Sequence, residues 1–298
     1  MRSGLIGLGS MGQKHYRAMV NSELVDLVAV VDCEQRDLKE SNIEFYTDIN
    51  HMLDREKLDF VVVATPTSTH STIATKVLNR GINLFVEKPI AHSIDEARKM
   101  HLISEKNNCR AAVGHIERFN PAIQALLPEL EGQNILHCAT TRMSPYPSRI
   151  MDVGVKLDLG IHDMDLVRLL MQKSVSSCTQ SSSNSVANNE DTAAFMIKFE
   201  DGTSANVLTS WMMPFRERKV KILTETCYYE VDLLNLSATK YENIDNSSYR
   251  AQPLYVKRGD ALSDQLSSFI NYVSTGDKGA LCDLEDGALA LSYLNQGG

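Results

Sequence analysis

The chain has 298 residues, an ordinary apolar content and a formal charge of −8, from 30 Lys and Arg against 38 Asp and Glu. That length exceeds what a single hydrophobic core usually organises, so two domains are expected. Mild acidity argues against an extended nucleic-acid surface, and no apolar run is long enough to span a bilayer. Six scattered cysteines without C-x-x-C spacing read as free thiols of a cytoplasmic protein.

The first pattern runs from Ser3 to Asp32. A short apolar run enters the turn Gly7-Leu8-Gly9-Ser10-Met11-Gly12, a helical stretch follows, and a second apolar run, Leu27 to Val31, ends at Asp32. A Gly-x-Gly-x-x-Gly turn between strand and helix suits a dinucleotide. Gly7 permits the tight turn, Gly9 lets the backbone approach a pyrophosphate, and Gly12 lets the helix sit close to the strand; Ser10 and Met11 complete the cradle. A carboxylate ending the second strand can take both ribose hydroxyls and would repel a 2′-phosphate, so Asp32 favours NAD over NADP. Cys33 brings no positive charge to reverse that preference. Glycines that serve only packing are the plain alternative.

An outer strand is expected near Ile43 to Tyr46, and Asp59 to Ala64 is rich in β-branched residues, as in a strand buried on both faces of a parallel sheet. Thr65, Pro66 and Thr67 follow it and would line the cofactor groove, with His70 near them. Capping the next helix, Thr69 to Asn79, is an adequate structural role for Thr67. Asn83 to Val86 is the next strand and ends at Glu87-Lys88-Pro89. Ligands of such sheets bind beyond the carboxyl ends of the strands, which puts Lys88 at a crevice. An amine there can hydrogen-bond an oxygen being oxidised; a solvated surface lysine is the equal alternative. Ser93 and Glu96 predict a capping box for a helix to about Lys106. Ala111 to Gly114 is the last strand of this domain, followed at the same sheet edge by His115, Glu117 and Arg118. His15 and Arg17, early in the first helix, fall either near the pyrophosphate or in solvent.

The second half reads differently. A helix is expected from Pro121 to Glu129, a strand from Leu136 to Arg142 and a proline loop from Ser144 to Arg149. Helical spacing follows from Leu157 to Met171. Ser176 to Asn189 reads as a polar-faced strand and loop, or as disorder. Ala193 to Phe199, Asp201-Gly202 and Thr203 to Trp211 form a hairpin; Val220 to Leu223 pairs with Cys227 to Val231; Leu236 to Lys240 and Leu254 to Val256 extend the sheet. Helices close the chain at Ala261 to Val273 and Asp283 to Asn295. The fold class is therefore α/β: residues 1–118 form a Rossmann domain with a doubly wound parallel sheet. Residues 119–298 form an α+β domain on a large, mainly antiparallel open sheet, its last helix packing back towards the first domain. One uncovered sheet face suggests homo-oligomerisation through it, or an exposed substrate groove.

Within this half, Asp158-Leu159-Gly160-Ile161-His162-Asp163-Met164-Asp165 carries the second candidate centre. Asp158 and His162 share a face if the stretch is helical. An imidazole is the natural base for a hydroxyl proton as hydride leaves the same carbon, with Asp158 orienting it or bonding a neighbouring hydroxyl. No further ligand spacing points to a metal. Arg142 and Arg149 flank the proline loop, where guanidinium groups suit either a diphosphate or surface salt bridges.

The glycine turn, Glu87-Lys88-Pro89 and Asp158-x-Gly160-x-His162-x-x-Asp165, in this order along the chain, resemble the glucose–fructose oxidoreductase/inositol dehydrogenase (Gfo/Idh/MocA) family. The resemblance implies an NAD-dependent dehydrogenase of a sugar or polyol, a homodimer or homotetramer, with Lys88 as active-site lysine, His162 as catalytic acid/base and Asp158 in contact with substrate. Gly114-His115-Ile116-Glu117-Arg118-Phe119-Asn120-Pro121 and Pro145-x-Pro147-x-Arg149-Ile150-x-Asp152-Val153-Gly154-Val155 resemble its UDP-N-acetylglucosamine 3-dehydrogenase branch. That finer likeness implies a nucleotide-sugar substrate oxidised at its 3-hydroxyl, a ketone product for a partner aminotransferase, and Glu117, Arg118 and Arg149 among the substrate contacts. Lys156 and Gly160 depart modestly from the branch pattern. Dehydrogenases of other sugars or inositols, related reductases and a non-catalytic NAD-binding sensor are the competing readings.

Overall fold

The computed structural model describes residues 1–36, 38, 42–147, 153–186, 189–245 and 247–294. The chain divides into two compact units, Met1–Ile116 with Leu262–Leu289, and Glu117–Ala261 with Ala290–Gly298.

In the first unit, strands and helices alternate: β1 (Arg2–Ile6), α1 (Ser10–Val20), β2 (Asp26–Val31), β3 (Glu44–Tyr46), α2 (Ile49–Arg55), β4 (Phe60–Val63), α3 (Thr67–Leu78), β5 (Asn83–Val86), α4 (Ile94–Lys106) and β6 (Ala111–Val113). β4 is buried at all four positions, which is why its sequence is continuously apolar rather than alternating. The Ser93–Glu96 capping box forms at the start of α4, each side chain accepting from the other residue's backbone N–H. Helix α2 was not legible from periodicity; Asp48 starts it by accepting a bond from the N–H of His51.

The glycines of the first turn divide by what a side chain would meet. Gly7 has φ +97°, and a Cβ there would come within 2.6 Å of the carbonyl oxygen of Ala64. A Cβ on Gly12 would overlap the carbonyl of Gly7, so α1 sits on β1 at a distance only glycine allows. At Gly9 a Cβ would meet nothing within 4 Å.

The second unit begins in a 3-10 turn ending at Phe119, followed by α5 (Pro121–Leu130), β7 (Ile135–Met143), a π-helical turn (Lys156–Gly160) and α6 (Ile161–Met171). Seven further strands follow: β8 (Val175–Ser183), β9 (Thr192–Phe199), β10 (Ser204–Ser210), β11 (Glu217–Thr224), β12 (Cys227–Asp232), β13 (Ser237–Asn243) and β14 (Tyr249–Pro253). They form an eight-stranded sheet in the order β14-β13-β12-β11-β7-β10-β9-β8. Every pairing is antiparallel except β7 with β10. Alternation is clean on β9, where Ala193, Phe195, Ile197 and Phe199 are buried and Ala194, Met196 and Lys198 are exposed. The Ser-rich stretch up to Ser183 belongs to the edge strand β8; Ala187 and Asn188 lie outside the described residues. The last strand ends where Leu254 to Val256 was expected to begin. Asp245 accepts bonds from the N–H groups of Ser247 and Ser248, turning the chain early enough to pair Ala251 with Tyr241.

The chain then passes through α7 (Ala261–Thr275), β15 (Cys282–Asp283) and α8 (Leu284–Leu294). Residues 119–298 were expected to form the second domain with the last helix packing back towards the first; Leu262–Leu289, which takes in α7, β15 and the start of α8, groups with the first unit. Aromatic packing and a strand addition explain this: Phe269 meets Phe60 and Phe85 edge-on, and β15 pairs antiparallel with β6. The first sheet thereby runs β15-β6-β5-β4-β1-β2-β3.

Arginine–carboxylate pairs fix α6 within the second unit. Arg118 binds both carboxylate oxygens of Asp165 at 2.6 to 3.1 Å. Arg142 donates to Asp163 and to Glu117, each at 2.8 Å, and Arg218 shares that Glu117 oxygen. Burial opposes ionisation of Glu117, yet the two guanidinium groups hold its carboxyl below the usual range; burial pushes Asp163 up against the pull of Arg142.

Gly12→Ala is expected to cost about 1–3 kcal/mol in urea unfolding, the usual penalty for overpacking. Gly9→Ala should change stability much less, because its added methyl enters open space.

Candidate functional site

In the first unit the glycine turn and the end of β2 are joined directly. The N–H of Leu8 donates to Asp32 Oδ2 at 2.6 Å, and the N–H of Glu34 and the thiol of Cys33 donate to Oδ1. Partial burial works against the carboxylate, but these donors and the nearby charge of Arg36 hold Asp32 below its ordinary range. Arg36 was missed by the sequence reading, which stopped at Cys33. Its Nη1 donates to the carbonyl of Leu8 at 3.3 Å, so an anion and a cation bracket the same turn residue.

The space above Gly9 fits a pyrophosphate. No side chain caps α1 and no acidic residue lies in its first turn, so the partial positive charge of the helix start meets no counter-charge from its own residues. The crowded Gly7 and Gly12 shape the cradle and the open Gly9 leaves it accessible.

At the end of β4, Thr69 Oγ1 lies 2.7 Å from Thr65 Oγ1, and Pro66 precedes α3, with Thr67 as the helix's first residue. His70 is buried, with Nε2 2.9 Å from the carbonyl of Thr65 and Nδ1 2.9 Å from the carbonyl of Pro89. It therefore ties the loop after β4 to the loop after β5. At the latter, Glu87 is buried, Lys88 is half-buried and the Lys88–Pro89 peptide bond is cis. His15 also departs from expectation. It lies neither at the pyrophosphate end nor in solvent, but is buried with Nε2 2.7 Å from Glu87 Oε1.

In the second unit, Asp158 lies in the π-helical turn and His162 in the first turn of α6, both half-exposed, while Asp163 and Asp165 are buried. A π turn carries one residue more than an α turn and recurs at functional positions. Glu190 holds its start: the N–H of Val155 donates to the Glu190 carbonyl and that of Lys156 to Oε1. A Cβ at Gly154 would overlap that carboxylate. Glu117 and Arg118, expected among substrate contacts, are buried members of the ion-pair network. Arg142 is 1% exposed and pairs with Glu117 and Asp163 in the interior, rather than with surface carboxylates as its salt-bridge alternative expected. Arg149 lies outside the described residues.

Comparison with known proteins agrees with this arrangement. Residues 1–115 match the oxidoreductase family with an NAD-binding Rossmann fold, and residues 135–230 match the Gfo/Idh/MocA C-terminal domain. The chain is 27% identical over 292 residues to UDP-N-acetylglucosamine 3-dehydrogenase of Acidithiobacillus ferrooxidans, covering 95% of this chain and 91% of that one. A solved structure of that enzyme superposes with a TM-score of 0.88 at 25% identity, covering 100% of this chain and 96% of that one. The scyllo-inositol 2-dehydrogenase (NAD(+)) of Bacillus subtilis is 28% identical over 236 residues, 72% of this chain and 68% of that one. A glycine turn built for a pyrophosphate, an ionised carboxylate at the end of β2, and both halves matching in order identify the chain as a member of the Gfo/Idh/MocA family, an NAD-dependent oxidoreductase.

Proposed function

We propose that the chain oxidises a sugar hydroxyl to a ketone, and that the substrate is UDP-N-acetylglucosamine reacting at its 3-hydroxyl. The observation that carries this reading is the local setting of His162. It stands half-exposed beside a π turn, on a helix whose neighbouring Asp163 and Asp165 are locked by buried arginines. Such fixation suits a general base, which must meet a hydroxyl proton within hydrogen-bond reach. Likeness to the Acidithiobacillus ferrooxidans enzyme over nearly the whole chain supports the choice of substrate.

NAD, when bound, supplies the hydride acceptor. Asp32 would hold the adenosine ribose, and the N–H groups at the start of α1 the pyrophosphate. Thr65, Pro66, Thr67 and Glu87 would border the groove. His162 takes the hydroxyl proton, Asp158 orients the imidazole or bonds an adjacent hydroxyl, and the Lys88 amine hydrogen-bonds the oxygen that becomes the ketone. The resulting keto sugar suits an aminotransferase. A free polyol is the second reading, favoured by the scyllo-inositol relative; turnover of sugars with and without the UDP group separates the two. Self-association through the exposed face of the eight-stranded sheet belongs to the same proposal, since Met196 and Leu223 are 54% and 44% exposed there.

His162→Asn should lower kcat by about 10²–10⁴-fold with NAD affinity little changed; turnover near the parent rate would refute the base assignment. Asp32→Ala should weaken NAD by about 10–100-fold in calorimetric titration and narrow the preference over NADP, with Arg36 left to meet a 2′-phosphate. An unchanged preference would overturn that role. Met196→Glu should lower the mass seen by light scattering if the sheet face joins subunits, and leave it unaltered otherwise.

A further inference from the structure

One buried pair is left unused by the chemistry above. Gly12, His15 and Met19 form the buried face of α1, so the residue that lets the helix approach β1 lies one turn from a histidine. That histidine is 2% exposed, packs edge-on against Phe85 with ring centroids 5.5 Å apart, and places Nε2 2.7 Å from Glu87 Oε1. Its Nδ1 is buried without a hydrogen-bond partner among the described residues.

The carboxylate is used at both ends. Glu87 Oε1 meets His15, and Oε2 accepts the N–H of Lys88 at 3.2 Å. The group packs against Gly114, where a Cβ would come within 2.8 Å of it. Burial opposes its ionisation, but the hydrogen bond from His15, followed by the charge of Lys88, holds its carboxyl below the usual range. Packing alone does not account for such a pair. An aliphatic pair of the same volume would hold α1 against β5 without the cost of burying a carboxylate. What the polar pair adds is direction, because a fixed carboxylate fixes the amide it accepts from.

We propose that His15 is a positioning residue for Lys88. Through Glu87 it ties the turn that carries Lys88 to the helix whose start receives the pyrophosphate, so the amine is set by the same element that holds the cofactor. The proposal rests on the reading of Lys88 as the amine that serves the reacting oxygen. Two side chains at position 15 separate direction from bulk. Glutamine can still donate an N–H to Glu87; leucine fills the space but cannot.

The test compares full-length parent, His15→Leu, His15→Gln and Lys88→Ala. Reductive methylation of Lys88, quantified by mass spectrometry against the exposed Lys99 of α4, reports its setting without any substrate. Turnover of UDP-N-acetylglucosamine, NAD affinity by calorimetry and the melting temperature complete the set. His15→Leu is expected to change the Lys88 labelling rate by more than about threefold and to lower kcat by about 10–100-fold, as a misplacement near 1 Å does. NAD affinity should be nearly kept, and His15→Gln should recover most of both losses. The proposal is overturned if labelling in His15→Leu matches the parent, or if labelling in both variants follows the melting temperature rather than the ability to donate. Turnover by Lys88→Ala at the parent rate would remove the reading of Lys88 instead, and the labelling result would still decide whether His15 positions it.

Discussion

The first unit depends on one close approach, that of α1 to β1. The helix can rest on the carbonyl of Gly7 only because Gly12 has no side chain. With the helix at that distance, its uncapped start opens above Gly9, and the next buried position on the same face, His15, reaches the end of β5. Strand ends otherwise separate in sequence are then joined by polar ties. Asp32 binds the amide of Leu8, His70 spans the carbonyls of Thr65 and Pro89, and Glu87 at the end of β5 meets His15 of α1. The carboxyl edge of the parallel sheet is thus braced by side chains that also carry charge to where a dinucleotide is bound.

The second unit solves a different problem by similar means. Asp158 in the π turn and His162 at the start of α6 stay half-exposed while most of the helix is buried. Apolar packing fixes a helix against translation but is tolerant of small rotations. Bidentate pairing of Arg118 with Asp165 and the Arg142–Asp163 bond are directional, and both sit on the buried side of the helix. Arg142 and Arg218 face each other across adjacent strands, an arrangement that repulsion would disfavour without Glu117 between them. Removing any one of these charges would leave another uncompensated in the core.

Much of the first unit was legible along the chain because its signals are local. Continuous apolar runs marked β4 and β5, the Ser93–Glu96 box marked the start of α4, and the glycine spacing marked the turn before α1. The second unit was legible as alternation, most clearly on β9 and β10. What escaped were features set by a partner far away in sequence. His15 reads along the chain as near the pyrophosphate or in solvent, and only the fold places Glu87, 72 positions later, beside it. Glu117 and Arg118 looked accessible because they follow a strand end, yet strands β7 and β11 and helix α6 bring counter-charges that bury them.

By itself the sequence determined the α/β and α+β fold classes, the glycine turn with Asp32 after it and, through its motifs, the family and the NAD cofactor. These follow from spacing, from backbone conformations only glycine adopts, and from motifs that occur within a few residues of one another. Tertiary structure alone decided which charges are spent on the fold, that Leu262–Leu289 joins the first sheet's unit, and that a π turn precedes α6. The physical reason is that a charged side chain's role depends on what surrounds it in space. A guanidinium beside solvent and one beside two buried carboxylates are written with the same letter.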